Sequence, residues 1–163
     1  MVKDKRGVSL IELIVVIAIM GVMIGFVSVS LSSITGARGR NCANKMEDAL
    51  VSARLSALSK AGDHEVFVYR DSSSEVCVEY DGKIEKCGKR GVRVTYVVAG
   101  SSDEIELEGE AKLKLTYKQN TGSFTGAPII ERINVYASNY VFKLKLYKTT
   151  GKVEVIKEAI SSD

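Results

Sequence analysis

Histidine, tryptophan and proline are scarce in this chain, and their scarcity narrows the range of functions. The 163 residues hold no tryptophan, one proline (Pro128) and one histidine (His64). A single histidine leaves no supported Ser/His/Asp or Cys/His catalytic set. Neither an H-E-x-x-H motif nor a phosphate-binding G-x-x-x-x-G-K-S/T loop is present, and the three cysteines lack zinc-site spacing. The sequence therefore predicts neither an enzyme nor a metal site, and it implies no cofactor.

A strong net charge is also missing. The formal charge is +3, of which Lys3, Lys5 and Arg6 against Asp4 contribute +2. The chain after this basic tip is thus close to neutral. A nearly neutral body is not typical of a protein that binds nucleic acid over its whole surface.

What the chain does have is one long apolar run near its start. From Val8 to Val29 only Ser9, Glu12 and Ser28 are polar. A bilayer-spanning helix needs about 20 apolar residues, so the run predicts a single membrane span with its basic tip on the cytoplasmic side. It is too long for a secretory signal peptide. A carboxylate inside such a span costs about 2.5–3.5 kcal/mol, so we expect Glu12 to have a function.

These residues carry a family resemblance. Gly7-Val8-Ser9-Leu10-Ile11-Glu12-Leu13, followed by the apolar run, resembles the prepilin signature of type IV pilins and type II secretion pseudopilins. The resemblance implies that a prepilin peptidase cuts after Gly7 and methylates the new amino terminus at Val8. It also implies that Glu12 meets the amine of a neighbouring subunit during assembly on an inner-membrane platform. The alternative is an uncleaved anchor in which Gly7 and Glu12 are incidental.

Two departures from the family pattern favour a minor subunit. Most members have Phe where this chain has Val8, and many major pilins have a proline about 14 residues after the glutamate. This chain has Phe26 and Val29 in that region. Gly21 and Gly25 form a small-x-x-x-small spacing that suits close helix contact, although ordinary membrane-helix composition explains them equally well.

The rest of the chain predicts an α+β fold, a long N-terminal helix packed on an antiparallel β domain. Residues 1–7 are assigned to a leader, 8–30 to the membrane and filament-core helix, 31–62 to a linker and amphipathic helix, and 63–163 to the β domain. The stretch 28–40 is predicted to be weakly helical. The next helix is expected to stop at Gly62. Before it, apolar residues recur at helical spacing and form one stripe: Cys42, Met46, Ala49, Leu50, Ala53 and Ala57.

After Gly62 the pattern changes to alternation typical of strands. Asp81-Gly82 between alternating segments predicts a β-hairpin. The layout of this part of the chain resembles that of GspH/FimT-type minor pseudopilins. The resemblance lies in the helix before Gly62, the turn around Phe124 and Gly126, and the final hairpin at 150–153.

Cysteine spacing suggests a disulfide across the first hairpin. A three-residue loop with a bulge at Gly82 places Cys77 opposite Cys87, and disulfides persist outside the cytoplasm. A strict two-residue turn does not bring them opposite each other. Free thiols, or competition from Cys42 for one of them, are the alternatives.

Two charge runs have both a structural and a functional interpretation. The acidic residues Asp103, Glu104, Glu106, Glu108 and Glu110 fit a solvated strand face better than a calcium site. The final hairpin of this chain carries four lysines: Lys143, Lys145, Lys148 and Lys152. They fit a solvated strand face, but they also fit a DNA-binding surface like that of some tip pilins. Where those pilins have a second arginine, this chain has Glu154, which opposes DNA capture.

The sequence thus predicts a structural filament subunit, a minor pilin or pseudopilin of a type IV pilus or type II secretion-like machine. It would be a single-pass membrane precursor and then part of an extracytoplasmic filament. A pilus-tip module for DNA uptake or adhesion is the alternative. The kind of machine stays open.

Overall fold

The computed structural model describes residues 9–88, 91–109 and 111–160, except for the side chains of residues 25–34. The chain divides into two compact units between Ile34 and Thr35. The first unit is helical where it is described. The second contains the remainder of the helix and all of the described strands.

One long helix, α1 (Leu10–Ser59), opens the structure. The sequence pattern predicted a weak stretch at 28–40, but α1 is continuous there. Gly36 and Gly39, which suggested fraying, lie where the helix closely approaches a sheet. A Cβ on Gly39 would lie 2.2 Å from the Ala137 Cβ, so these glycines permit packing. The helix ends shortly before Gly62, whose φ of 101° is typical of a chain reversal.

Ten described strands follow α1 and form two five-stranded antiparallel sheets. Sheet A has the strand order β3-β2-β1-β6-β7 and sheet B the order β10-β9-β8-β4-β5. The predicted α+β class, with an N-terminal helix and C-terminal antiparallel sheets, is therefore confirmed. The strands are β1 (His64–Arg70), β2 (Val76–Tyr80), β3 (Lys83–Gly88), β4 (Val92–Val98), β5 (Glu104–Glu106), β6 (Leu113–Tyr117), β7 (Phe124–Thr125), β8 (Ile130–Ala137), β9 (Tyr140–Leu146) and β10 (Val153–Ala159).

The core of the second unit joins α1 to both sheets. Met46 and Leu50 are fully buried and belong to the same cluster as Val66 of sheet A and Leu144 of sheet B. The predicted helical stripe is confirmed, because five of its six residues are fully buried and Ala49 is partly buried against the cluster. Alternation in β9 buries Phe142, Leu144 and Leu146 on the same face.

Arg70 at the end of β1 ties the two sheets together. Its guanidinium donates to the Leu107 carbonyl at 2.9 Å, to the Ser74 carbonyl at 3.1 Å and to the Val92 carbonyl of β4 at 3.1 Å. Charge-assisted hydrogen bonds of this kind are about twice as strong as neutral ones. One side chain of sheet A thereby holds backbone of sheet B in place.

Candidate functional site

The first unit presents an apolar helix surface on all sides. Every residue from Ser9 to Ile24 is exposed within this chain. The exposed fraction of the large apolar side chains runs from 43 % at Val16 to 76 % at Leu10. A helix that is apolar all round is normally buried in a larger assembly or in lipid, and large exposed apolar patches mark interaction sites. This segment is therefore the strongest candidate for a contact surface.

Glu12 is the one acidic residue in the first turn of α1. The helix begins at Leu10, and the Leu13 amide donates to the Ser9 carbonyl at 3.1 Å. A carboxylate in the first turn is favoured by the positive end of the helix dipole. The segment thus places one anionic group at the N-terminal end of an otherwise apolar surface.

Gly21 leaves open space on the same segment. No atom of the described chain lies within 4 Å of where its Cβ would be. A helix from another molecule can approach the backbone closely at such a position.

Two predicted site residues cannot be placed. Gly7 and Val8, the predicted cleavage and methylation positions, lie outside the described residues. No helix within the described part of the chain has the combination of length and hydropathy that crossing a bilayer requires. The predicted membrane span at 8–30 is therefore not confirmed.

The structure does not confirm the predicted Cys77–Cys87 disulfide, because both thiols are free in it. The hairpin has the strict two-residue turn, with Tyr80 opposite Lys83 and Cys77 opposite Lys86. Asp81 and Gly82 both have positive φ, 52° and 73°, as a type I′ turn requires.

A bulge between Val76 and Cys77 leaves Cys87 without a direct partner on β2. Cys87 belongs to the core cluster, whereas Cys77 does not, although all three cysteines are buried free thiols. Instead, Cys87 Sγ lies 2.8 Å from Cys42 Sγ. The sequence offered one signal for this contact: Cys42 lies on the buried stripe of α1.

The lysines of the final hairpin do not form a uniformly basic surface. Lys143 pairs with Glu158, and Lys145 lies opposite Glu154 in the β9–β10 register. The ammonium groups of Lys145 and Lys152 lie 5.3 Å and 5.9 Å from the centre of the Tyr147 ring. Nearby carboxylates offset the positive charge that DNA capture requires.

The acidic run is partly built into sheet B. Glu104 accepts hydrogen bonds from Thr95 at 2.9 Å, Asn134 at 2.9 Å and Tyr136 at 2.8 Å. Burial alone raises the pKa of Glu104, but the hydrogen bonds outweigh burial and lower the pKa below its ordinary value. Glu104 is thus a structural acceptor. Glu110 lies outside the described residues, and no group of three or more metal-binding side chains occurs among those described.

A groove of about 610 Å³ lies between α1 and the β2–β3 hairpin. Its lining includes Lys45, Asp48 and Tyr80. Lys45 Nζ lies 3.8 Å from the Glu85 carboxylate, so charges of both signs are near each other. Among the lining residues that the structure describes, no hydroxyl nucleophile is hydrogen-bonded to a base.

Comparison with known proteins gives a match in the N-terminal part of the chain. Residues 2–28 match the family model described as the prokaryotic N-terminal methylation motif. No curated protein and no solved structure matches the chain. The matched residues contain Glu12 and all of the exposed segment from Ser9 to Ile24. The chain therefore begins with an N-terminal methylation motif, the leader type of pilin-like precursors.

Proposed function

We propose that this chain is a structural subunit, a minor pilin or pseudopilin, of a type IV pilus or type II secretion-like filament. Prepilin peptidase cuts after Gly7 and methylates Val8, and the processed chain assembles through the N-terminal part of α1. One combined observation carries the proposal. The methylation motif at residues 2–28 covers a helix segment whose apolar residues are exposed within the chain.

The assembly step follows from electrostatics in an apolar setting. Glu12 is the acidic group of the first turn of α1, and cleavage before Val8 creates an amine in a neighbouring copy. Opposite charges about 4 Å apart attract by about 4 kcal/mol at an effective dielectric constant of 20. Either charge alone in an apolar filament core is costly. Pairing them sets the axial register between subunits.

The finer parts of the proposal concern location, subtype and partners. The motif supports a membrane-anchored precursor, and the location of the β domain outside the cytoplasm is part of the proposal. The arrangement of a long helix leading into two antiparallel sheets is compatible with a GspH/FimT-type minor subunit. Its partners are other pilin subunits, the peptidase and an assembly platform, and its role is structural, not catalytic. The DNA-binding alternative has less support, because Glu154 and Glu158 lie beside the lysines of the final hairpin.

The N-terminus of the mature chain tests the proposal. Co-expression with a prepilin peptidase should yield a chain that begins at Val8 and carries the mass of one added methyl group, as read by intact mass spectrometry. Gly7→Val should block the cut, because it places a bulky side chain at the proposed cleavage position. Gly36→Ala in the same chain is the control and should be processed normally. An intact Met1 on the wild-type chain in the presence of active peptidase would overturn the proposal.

A further inference from the structure

Two buried thiols from distant parts of the chain lie in contact. Cys42 on α1 is fully buried, Cys87 on β3 is 7 % exposed, and their Sγ atoms are 2.8 Å apart. A disulfide bond is about 2.05 Å long, and non-bonded heavy atoms ordinarily lie about 3.5–4.0 Å apart. The two sulfur atoms are therefore closer than ordinary packing places them. The contact joins residues 45 positions apart in sequence.

Local structure brings Cys87 to the helix. The bulge in the β2–β3 pairing leaves Cys87 unpaired on the core side. Gly88 lies next to it, where a Cβ would be 3.0 Å from the Val76 Cβ, so glycine permits the close approach of the strands. One turn beyond Cys42, Lys45 donates from its ammonium group to the Lys86 carbonyl at 3.0 Å. This hydrogen bond holds the helix and the strand together beside the sulfur contact.

We propose that Cys42 and Cys87 form an oxidative modification site, a disulfide that links α1 to β3. The oxidant is a small-molecule disulfide such as oxidised glutathione, or the active-site disulfide of a thiol–disulfide oxidoreductase. The pairing rests on geometry. The placement of the β domain in an oxidising compartment rests on the proposed function.

The structure assigns an order to the exchange. A crevice of about 260 Å³ lies against Cys87, between Arg38 of α1 and Glu75. Cys42 is fully buried, and its hydrogen bond with Cys87, together with burial, raises the pKa of the Cys42 thiol. Cys87 therefore reacts first.

The chemistry balances as two exchange steps. Cys87, as the thiolate, attacks the oxidant disulfide and forms a mixed disulfide, which releases one thiolate of the oxidant. Cys42 then loses its proton and attacks Cys87 Sγ, and the second oxidant thiolate leaves. The two protein thiols lose two electrons and two protons, and the oxidant is reduced to two thiols.

Cys77 takes no part in this exchange. It is 1 % exposed and lies outside the core cluster that contains the other two sulfur atoms. Its thiol donates to the Glu75 carbonyl at 3.7 Å, and desolvation raises its pKa. Cys77 should therefore stay free and account for one labelled thiol in the test.

The test counts thiols in the full chain, purified in detergent under reducing conditions. The chain is incubated with oxidised glutathione, denatured, and labelled with a maleimide. Intact mass should show one labelled thiol without reductant and three with it, and peptide mapping should join Cys42 to Cys87. Cys77→Ser is the matched control and should show no labelled thiol but the same linked peptides. Three labelled thiols on the oxidised wild-type chain, or a link through Cys77, would overturn the proposal.

A thermal measurement gives a second readout. Reductant should lower the melting temperature of the oxidised wild-type chain and of Cys77→Ser by roughly 10 °C. It should leave the double variant Cys42→Ser/Cys87→Ser unchanged. Equal effects of reductant on all three would contradict the pairing. The same mass spectra of chain co-expressed with peptidase report whether residues 1–7 are removed, so a failed disulfide and a failed filament assignment are read separately.

Discussion

At the scale of single residues, one described glycine has the backbone of another loop directly where its Cβ would be. Gly151 has a φ of 63°, and a Cβ there would lie 1.7 Å from the Gly122 carbonyl oxygen. Close by, the Phe124 amide of β7 donates to the Lys148 carbonyl at 3.0 Å. This contact joins the loop after β6 to the loop after β9, and thus sheet A to sheet B. A glycine here is required by both its conformation and its neighbour.

Gly151→Ala should destabilise the chain by more than its backbone conformation alone explains. The matched control is Gly109→Ala, since Gly109 has a φ of 60° with nothing within 4 Å of a Cβ. The left-handed conformation costs alanine about 1–2 kcal/mol in both variants. The collision with the Gly122 backbone should add roughly 1–3 kcal/mol for Gly151→Ala.

Urea unfolding of the full chain measures this difference. Because the chain has no tryptophan, unfolding is followed by circular dichroism or tyrosine fluorescence. Equal losses in the free energy of unfolding for the two variants would show that the two loops separate easily.

At the scale of elements, the packing of α1 against sheet B depends on one helical glycine. Gly39→Ala would place a methyl group 2.2 Å from the Ala137 Cβ and 3.2 Å from the Phe142 ring. We expect a loss of roughly 1–3 kcal/mol from overpacking. Gly36→Ala, one turn earlier, meets only Tyr140 at 3.6 Å. It should be neutral or stabilising by up to about 1 kcal/mol, the gain in helix propensity.

The melting temperatures of the two variants check this expectation. Gly39→Ala should melt below the wild-type chain and Gly36→Ala at or above it. The reverse order would mean that the glycines serve to soften the helix, as the sequence pattern suggested for 28–40.

Elements with strong periodicity were predictable, and features that depend on tertiary contact were not. The buried stripe of α1 and the turn at Asp81-Gly82 follow from spacing and turn chemistry, and both are confirmed. Glycine content alone cannot distinguish a frayed helix from one pressed against a sheet, because only the position of Ala137 decides between them.

The predicted cysteine pairing is not confirmed, for a related reason. A hairpin bulge changes which side chain faces which, and no local signal placed the bulge between Val76 and Cys77. The N-terminal motif, in contrast, was recognisable from its resemblance to the prepilin signature. A single carboxylate in an apolar run is an unusual pattern, and the methylation motif match covers it.

At the scale of the whole molecule, Glu12 should matter to assembly and not to folding. Glu12→Ala should remain in the membrane fraction but enter filaments at least about tenfold less, since losing a few kcal/mol of attraction far exceeds the 1.4 kcal/mol that a tenfold change requires. Glu47→Ala, a glutamate change within the second unit of the same helix, is the control. Immunoblotting of sheared filaments and membranes measures both.

Equal amounts of Glu12→Ala and Glu47→Ala in the filament fraction would remove the register role assigned to Glu12. Loss of both variants from the membrane fraction would indicate degradation of the chain, and a pulse-chase measurement of its half-life separates that case from failed assembly.

The outer strand of sheet B also affects whether copies of the chain can pair edge to edge in the proposed filament. Among the described strands β10 has only β9 as a neighbour, so its far side offers unpaired backbone groups. Its second half is exposed and carries Lys157 and Glu158. Joining two such strands from adjacent copies would strip water from these charges, which is how natural sheets avoid edge-to-edge aggregation. In the proposed filament, copies could therefore lie side by side without their β domains fusing into a continuous sheet.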